Sequence, residues 1–230
     1  RDVAKETGHL SEIEDINKKD EIKTKKFEQS KLTQDYVKEP TKFPLEQGNK
    51  GFLPLSVQKI LNTNNELCQT SKKDKTIKEN KECLLRRGIK FNKNQSFLET
   101  ILDVYKQEFK LQDILEQDEL KVFKEHILLQ LSLEIFFELQ NGTLVDTFFN
   151  PNEIVDIEEY KNKPLYTKLK IRNKERKDIY FQKICSSYEN FKKFITDKNS
   201  FIDYTYLWDF ISKYLFKRQI NLVILELPED

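Results

Sequence analysis

"DELKVFKEHILLQLSLEIFFEL", residues 118–139, is the stretch on which the fold class turns. Leu120, Phe123, Ile127 and Leu131 recur at intervals of three and four, the period of an α-helix. From Ile127 onward apolar residues surround the helix on nearly every side. The reading is therefore one long helix, deeply buried in its second half. Asn141-Gly142 follows and supplies residues that tolerate the left-handed backbone of a helix stop.

Toward the N-terminus, Ser96 followed by Glu99 has the spacing of a capping box, which predicts a helix starting at Phe97. Its apolar face would comprise Phe97, Leu98, Ile101, Leu102, Val104, Tyr105 and Phe109. Toward the C-terminus, "ERKDIYFQKICSSYENFKKFITDKN" (175–199) and "DYTYLWDFISKYLF" (203–216) read as two more amphipathic helices. "INLVILEL" (220–227) has the β-branched and aliphatic run of a buried strand. The expected fold is mainly α with a few short β-strands (α+β): a helical core plus a C-terminal buried strand.

The few turn residues concentrate in "KFPLEQGNKGFLPLSVQKIL" (42–61) and just before it. Pro40 and Pro44 favour extended backbone around Phe43. Gly48 and Gly51 are expected to take positive φ in a tight turn. Pro54 suits the first turn of a short helix, with Leu55, Val57, Ile60 and Leu61 on one apolar face. Phe43, Phe52 and Leu53 would tuck beneath it. Residues 1–40 are dense in charge and sparse in apolar positions, and read as a charged linker or a marginal helix. Residues 41–230 read as one mainly helical domain. The sequence lacks methionine, so the chain reads as a piece of a larger protein.

Charge bounds the function classes. The 40 basic and 39 acidic residues nearly cancel, leaving a net charge of +1. No global field draws the protein to nucleic acid or to an anionic membrane, so any basic footprint must be local. No run of apolar residues is long enough for a membrane span, and no membrane partner is expected. Cys68, Cys83 and Cys185 are too few and scattered for a disulfide framework, and a reducing compartment is the simpler expectation. A second role for Cys68 or Cys83 would be in a metal site completed outside this chain.

Enzyme signatures are missing. There is no phosphate-binding glycine loop and no paired-cysteine zinc spacing. His9 and His126 stand apart from any partner pattern and read as structural or solvent-exposed. The acids Asp146, Glu153, Asp156, Glu158 and Glu159 read as a solvated turn rather than a metal cluster. No catalytic residue, cofactor or metal is expected.

Two basic clusters remain. Residues 70–93 carry a net charge of +6, and "KLKIRNKERK" (168–177) carries +5 in a shorter span. The second holds Lys168, Lys170, Arg172, Lys174, Arg176 and Lys177, and its arginines suit bidentate phosphate contacts. These six are the first candidates for nucleic-acid contact, with Arg86 and Arg87 second. The alternative from composition alone is a solvated surface in a lysine-biased sequence. The many phenylalanines and tyrosines fall at helical spacing and read as core.

Four blocks in order carry a family resemblance: "KFPLEQGNKGFLPLSVQKILN" (42–62), "CLLRRGIKFNKNQSFLETILDVY" (83–105), "FELQNGTLVDTFF" (137–149) and "DYTYLWDFISKYLFKRQINLVILELPED" (203–230). Over about residues 36–230 the chain resembles the large subunit of the early transcription factor of poxviruses and other nucleocytoplasmic large DNA viruses. The resemblance implies an internal fragment of a promoter-binding activator. It implies double-stranded promoter DNA, a helicase-like ATPase small subunit and the viral RNA polymerase as partners. It also implies a place in the virion and in the viral factory of the host cytoplasm. The ATPase activity would belong to the partner subunit, which agrees with the missing phosphate loop. The alternative is a structural or protein-interaction module of the virion core without nucleic-acid binding, expected to expose an apolar patch around Phe52 and Leu53.

Overall fold

The computed structural model describes residues 36–71, 75–109 and 118–225. About 51% of the chain is helical and three short strands form one sheet, in agreement with the expected mainly α class. The chain divides into two compact units, Arg1–Lys90 and Phe91–Asp230. The expected linker or helix over 1–40 lies outside the described residues as far as residue 35. Val37 and Lys38 already belong to the first unit as a strand.

The first unit is built on strands β1 (Val37–Lys38), β2 (Lys50–Phe52) and β3 (Leu85–Arg87), with helix α1 (Leu55–Ile60) between the last two. β1 runs parallel to β2 with Val37 opposite Lys50, and β3 runs antiparallel to it with Gly51 opposite Arg86. Gly48 takes the expected positive φ of 79°. Gly51 does not, because it is a strand residue. The tight approach falls at Gly88 instead. Its N–H donates to the Asn49 carbonyl and its carbonyl accepts from Gly48 N, both at 2.8 Å. A Cβ there would stand 1.9 Å from the Glu46 carbonyl oxygen, so only glycine fits without moving the chain.

Helix α1 inverts its expected faces. Leu55 is 71% exposed and Ile60 65%, while Gln58 is buried. The physical reason is a polar cradle. Gln58 Nε2 donates to the Leu53 carbonyl at 2.7 Å, and its Oε1 accepts from Asn65 N at 2.8 Å. Asn65 Oδ1 accepts from Leu53 N at 2.8 Å, and its Nδ2 donates to the Leu84 carbonyl at 2.9 Å. Satisfying these buried backbone groups orients the helix more strongly than its aliphatic stripe does. Phe52 and Leu53 are buried as expected of residues under the helix, so the exposed apolar side chains of this region are not these two but Leu55, Ile60 and Leu61 beside them. Phe43 stays about half exposed. Cys68 and Cys83 join in a disulfide, a pairing that the reading of three scattered cysteines does not include. The fold of the first unit brings together two cysteines that are isolated in sequence.

The second unit is helical: α2 (Ser96–Glu108), α3 (Glu119–Gln130), α4 (Leu133–Glu138), α5 (Leu144–Thr147), α6 (Pro164–Lys168), α7 (Lys174–Thr196) and α8 (Tyr204–Phe210). A π-helical turn, Ile211–Leu215, extends α8. The helix expected over 118–139 is broken. Leu131 takes extended backbone, and Ser132 Oγ accepts from Ile135 N at 3.2 Å to cap a new helix. The cap gives the chain an alternative to continuing α3. Gln140, Asn141 and Gly142 all have positive φ and end the segment as expected. α2 starts at Ser96 itself, one residue before the capping-box prediction. Ser96 Oγ bonds back to Asn92 rather than into the helix, and Asn92 Oδ1 takes the N–H groups of Asn94 and Gln95.

α7 is the spine of this unit. Asn173 Oδ1 accepts from Arg176 N at 2.8 Å and caps it. Phe181, Ile184, Phe191 and Ile195 line its fully buried face. The same face carries polar groups that the surrounding loops need. Ser187 donates to the Val145 carbonyl at 2.7 Å, and Tyr188 OH donates to the Leu131 carbonyl at 2.7 Å, where α3 breaks. Ser186 Oγ accepts from Val155 N at 3.1 Å.

Among the described residues the expected C-terminal buried strand does not form. Residues 221–225 are irregular, and Val223 is 75% exposed. Strand propensity is not enough; a strand needs a neighbour to take its N–H and C=O groups. Among the described residues, the sheet β1-β2-β3 belongs to the first unit, and the second contributes no strand.

Three titratable groups gather near Glu189 inside the second unit. Burial pushes the Cys185 thiol up to about 12, and Glu189 adds to it. Burial likewise raises Tyr188 to about 12. Tyr160 lies well above the ordinary phenol value because of burial and its hydrogen bond to Glu189. All three shifts favour the protonated form in the folded state. The unfolded chain therefore binds fewer protons at high pH, and stability falls as pH rises. From the ordinary thiol value of 9.0 towards about 12, thermal unfolding should move steadily to lower temperature, more gently in Tyr188→Phe. A midpoint that stays flat across that range would show these groups to be solvated.

Candidate nucleic-acid interface

The segment 168–177 runs from the last residue of α6 through a loop into the first turn of α7. Leu165 buries and anchors the α6 side, and the Asn173 cap fixes the start of α7. Lys168, Lys170 and Arg172 between these anchors, and Lys174 and Arg176 in the first turn of α7, are exposed. Among the described residues none of these five makes an ion pair. Lys177 is half-buried, with Nζ 4.1 Å from the centre of the Tyr166 ring. Tyr166 OH donates in turn to Asp178 at 2.6 Å, which ties the loop to α7. Glu175 is the one acid within the segment.

Lys163, just before α6, is likewise exposed and makes no ion pair among the described residues, but four other lysines of the unit behave differently. Lys161 pairs with Glu158, Lys183 with Asp146, Lys192 with Glu189 and Lys193 with Glu153. Asp146, Glu153 and Glu158 are thus each held by a lysine. Among the described residues no group of three or more potential metal ligands gathers. His126 takes contacts from Tyr105 OH at 3.0 Å and Gln130 Nε2 at 2.7 Å within the helical unit. His9 lies outside the described residues.

The second-choice pair separates. Arg86 is part of the first unit's framework. Its guanidinium donates to the carbonyls of Phe52 at 2.8 Å, Lys42 at 3.2 Å and Glu39 at 2.9 Å. It also lies 4.0 Å over the Phe43 ring. Burial lowers its pKa from the ordinary arginine value. Three of the five guanidinium N–H donors are thus engaged by backbone carbonyls, which gives Arg86 a structural role in the first unit. Arg87 is exposed on β3. Arg86 and Arg87 fall in the first unit and 168–177 in the second.

One feature of the site is not singled out by the charge pattern. Arg176, Ile179, Tyr180 and Lys183 recur at three- and four-residue steps along α7. With Phe149 and Ile154 they line a groove of about 380 Å³. The signal in the sequence is that Ile179 and Tyr180 precede the core series Phe181, Ile184, Tyr188 and Phe191 and lie off its stripe.

The fold and the exposed segment define a class: a mainly α protein with a small sheet-bearing unit and, on its helical unit, a cationic segment at 168–176 without ion pairs among the described residues. No protein-family model matches the chain, and searches of characterised proteins and of solved structures gave no match. Among the described residues no helix is long and apolar enough to cross a membrane.

Proposed function

We propose that the chain is part of a viral early transcription initiation factor large subunit whose helical unit contacts promoter DNA through the phosphate backbone. The observation that carries this reading is a contrast in ion pairing within the helical unit. Five cations clustered at 168–176 are exposed and unpaired, while Lys161, Lys183, Lys192 and Lys193 are each paired with an acid. Three cations at 174–177 crowd the start of α7, where the helix dipole is already positive. That placement costs stability in the free protein and favours an anionic partner. The four-block resemblance supplies the promoter, the ATPase subunit, the polymerase and the virion setting. The chain acts in this reading as a binding component, with no catalytic step of its own.

Changing Lys168, Lys170, Arg172, Lys174 and Arg176 together to glutamine tests the reading on an AT-rich and a scrambled duplex across a salt series. Affinity should fall alike for both sequences. The slope of log affinity against log salt should flatten by about 0.9 per phosphate contact removed. Unchanged affinity and slope would remove DNA contact from this segment.

A second reading, a protein-interaction module, is favoured by the outward aliphatic face of α1, where Leu55, Ile60, Leu61 and nearby Leu67 are exposed. Such a face supports protein contact by the first unit and is compatible with DNA contact by the second.

A further inference from the structure

The strip of unpaired cations ends at a groove of different chemistry. Arg176, Ile179, Tyr180 and Lys183 share one face of α7, since residues three and four apart are neighbours on a helix. This face is not the core face: Ile179 is 63% exposed and Tyr180 38%. Phe149 and Ile154 close the groove from the neighbouring loop, and its walls are nearly all apolar. Its volume of about 380 Å³ is within the range of small-molecule sites, roughly 300–1,000 Å³. Cations stand on the polar side: Arg176 is part of the strip, and Lys183 lies 5.2 Å from the Phe149 ring while pairing with Asp146. An adjoining hollow shares Ile179 and adds Lys174, with Glu175 and Asp178 as its acids.

A ligand suited to this surface must be flat and apolar on its faces and must carry a regularly spaced anion. Unpaired bases on a phosphate backbone have both properties, and aromatic side chains beside a cationic track are how single strands are held. Duplex DNA meets only the cationic half, because its base faces are stacked away. We infer that the groove receives an unpaired base of single-stranded DNA against Tyr180, with Arg176 and the cations before it on the adjoining phosphates. The inference rests on the phosphate-contact reading of 168–176 and adds that the same surface prefers a melted strand to a closed duplex.

The test measures fluorescence anisotropy of oligo-dT, and of the same strand annealed to oligo-dA, with the whole chain at low salt. Tyr180→Ala should weaken oligo-dT binding about 5- to 150-fold, the loss of one stacked base, and change duplex binding by less than about twofold. Tyr180→Phe keeps the ring and should restore oligo-dT binding, separating stacking from a folding defect. If Tyr180→Ala weakens neither DNA while the five-glutamine variant weakens both, the base site falls and the phosphate reading stands. If the chain binds neither DNA, both fall. Equal losses on single strand and duplex would overturn the inference. So would oligo-U binding more than about tenfold tighter than oligo-dT, which moves the site to RNA. Self-association lost in Tyr180→Ala, with DNA binding unchanged, would give the groove to a second copy and also overturn it.

Discussion

Phe191→Ala lowers the stability of the helical unit by about 3–5 kcal/mol, the range for truncating a fully buried phenylalanine. Phe191 has no exposed surface. Its ring centre lies 4.8 Å from that of Phe148, 5.3 Å from Phe136 and 6.3 Å from Phe194. These rings come from the end of α5, from α4 and from α7 itself, so the truncation opens a cavity where several elements meet. The surrounding helices are held by other contacts and collapse into that cavity only in part. A domain of ordinary stability has about 5–15 kcal/mol in total, so the loss takes a large share. Urea unfolding followed by the single tryptophan, Trp208, reads this unit directly, because Trp208 packs against the same core. Phe191→Leu keeps most of the volume and should cost under about 1.5 kcal/mol. A loss below about 1 kcal/mol in the alanine variant would mean that the cluster is looser than described.

Asn65→Ala should unfold the sheet-bearing unit locally. The side chain has two backbone clients, the Leu53 N–H and the Leu84 carbonyl. Removing it leaves the buried Leu53 N–H without its partner, at about 1–3 kcal/mol, and frees the half-exposed Leu84 carbonyl as well. The apolar core that would have to absorb this is small: Val37, Phe52, Leu53 and Cys68. The Cys68–Cys83 disulfide closes a separation of 15 residues, which in the chain-entropy account contributes about 3 kcal/mol. The bridge and the Asn65 cradle together therefore rival that core. Hydrogen exchange at Lys50–Phe52 and Leu85–Arg87 checks the prediction. Protection there should drop steeply in Asn65→Ala and less in Asn65→Asp, which still accepts from Leu53 N but no longer donates to Leu84. Unchanged protection in the alanine variant would show that the cradle does not hold the sheet.

Much of the helical unit is legible from period and punctuation. The span 175–199 has a clean apolar stripe and the structure has α7 there; Asn141-Gly142 reads as a stop and three successive residues take positive φ. What failed to read was decided by hydrogen bonds between distant residues. Nothing local marks Ser132 as a cap inside an apolar run, since the break is stabilised where Tyr188 OH reaches the Leu131 carbonyl, 57 residues away in sequence. The Gln58 and Asn65 cradle has no periodic signature at all. At the site, the position and charge of 168–177 were plain in the sequence, as was the Arg86-Arg87 pair. That Arg86 is engaged by three backbone carbonyls while the lysines and arginines of 168–176 stay unpaired was not, because composition counts charges without their partners.

The sequence by itself determined the helical class, the turn at Gly48, the long helix α7 and the cationic segment, because each follows from local period, backbone preference or charge. Tertiary structure alone decided which cations remain unpaired, which face of α1 is buried, that Cys68 meets Cys83, and that "NLVIL" at 221–225 is not a strand among the described residues. Those outcomes depend on partners far away in the chain. A buried backbone group must find a donor or acceptor wherever the fold provides one, and a strand exists only beside another strand.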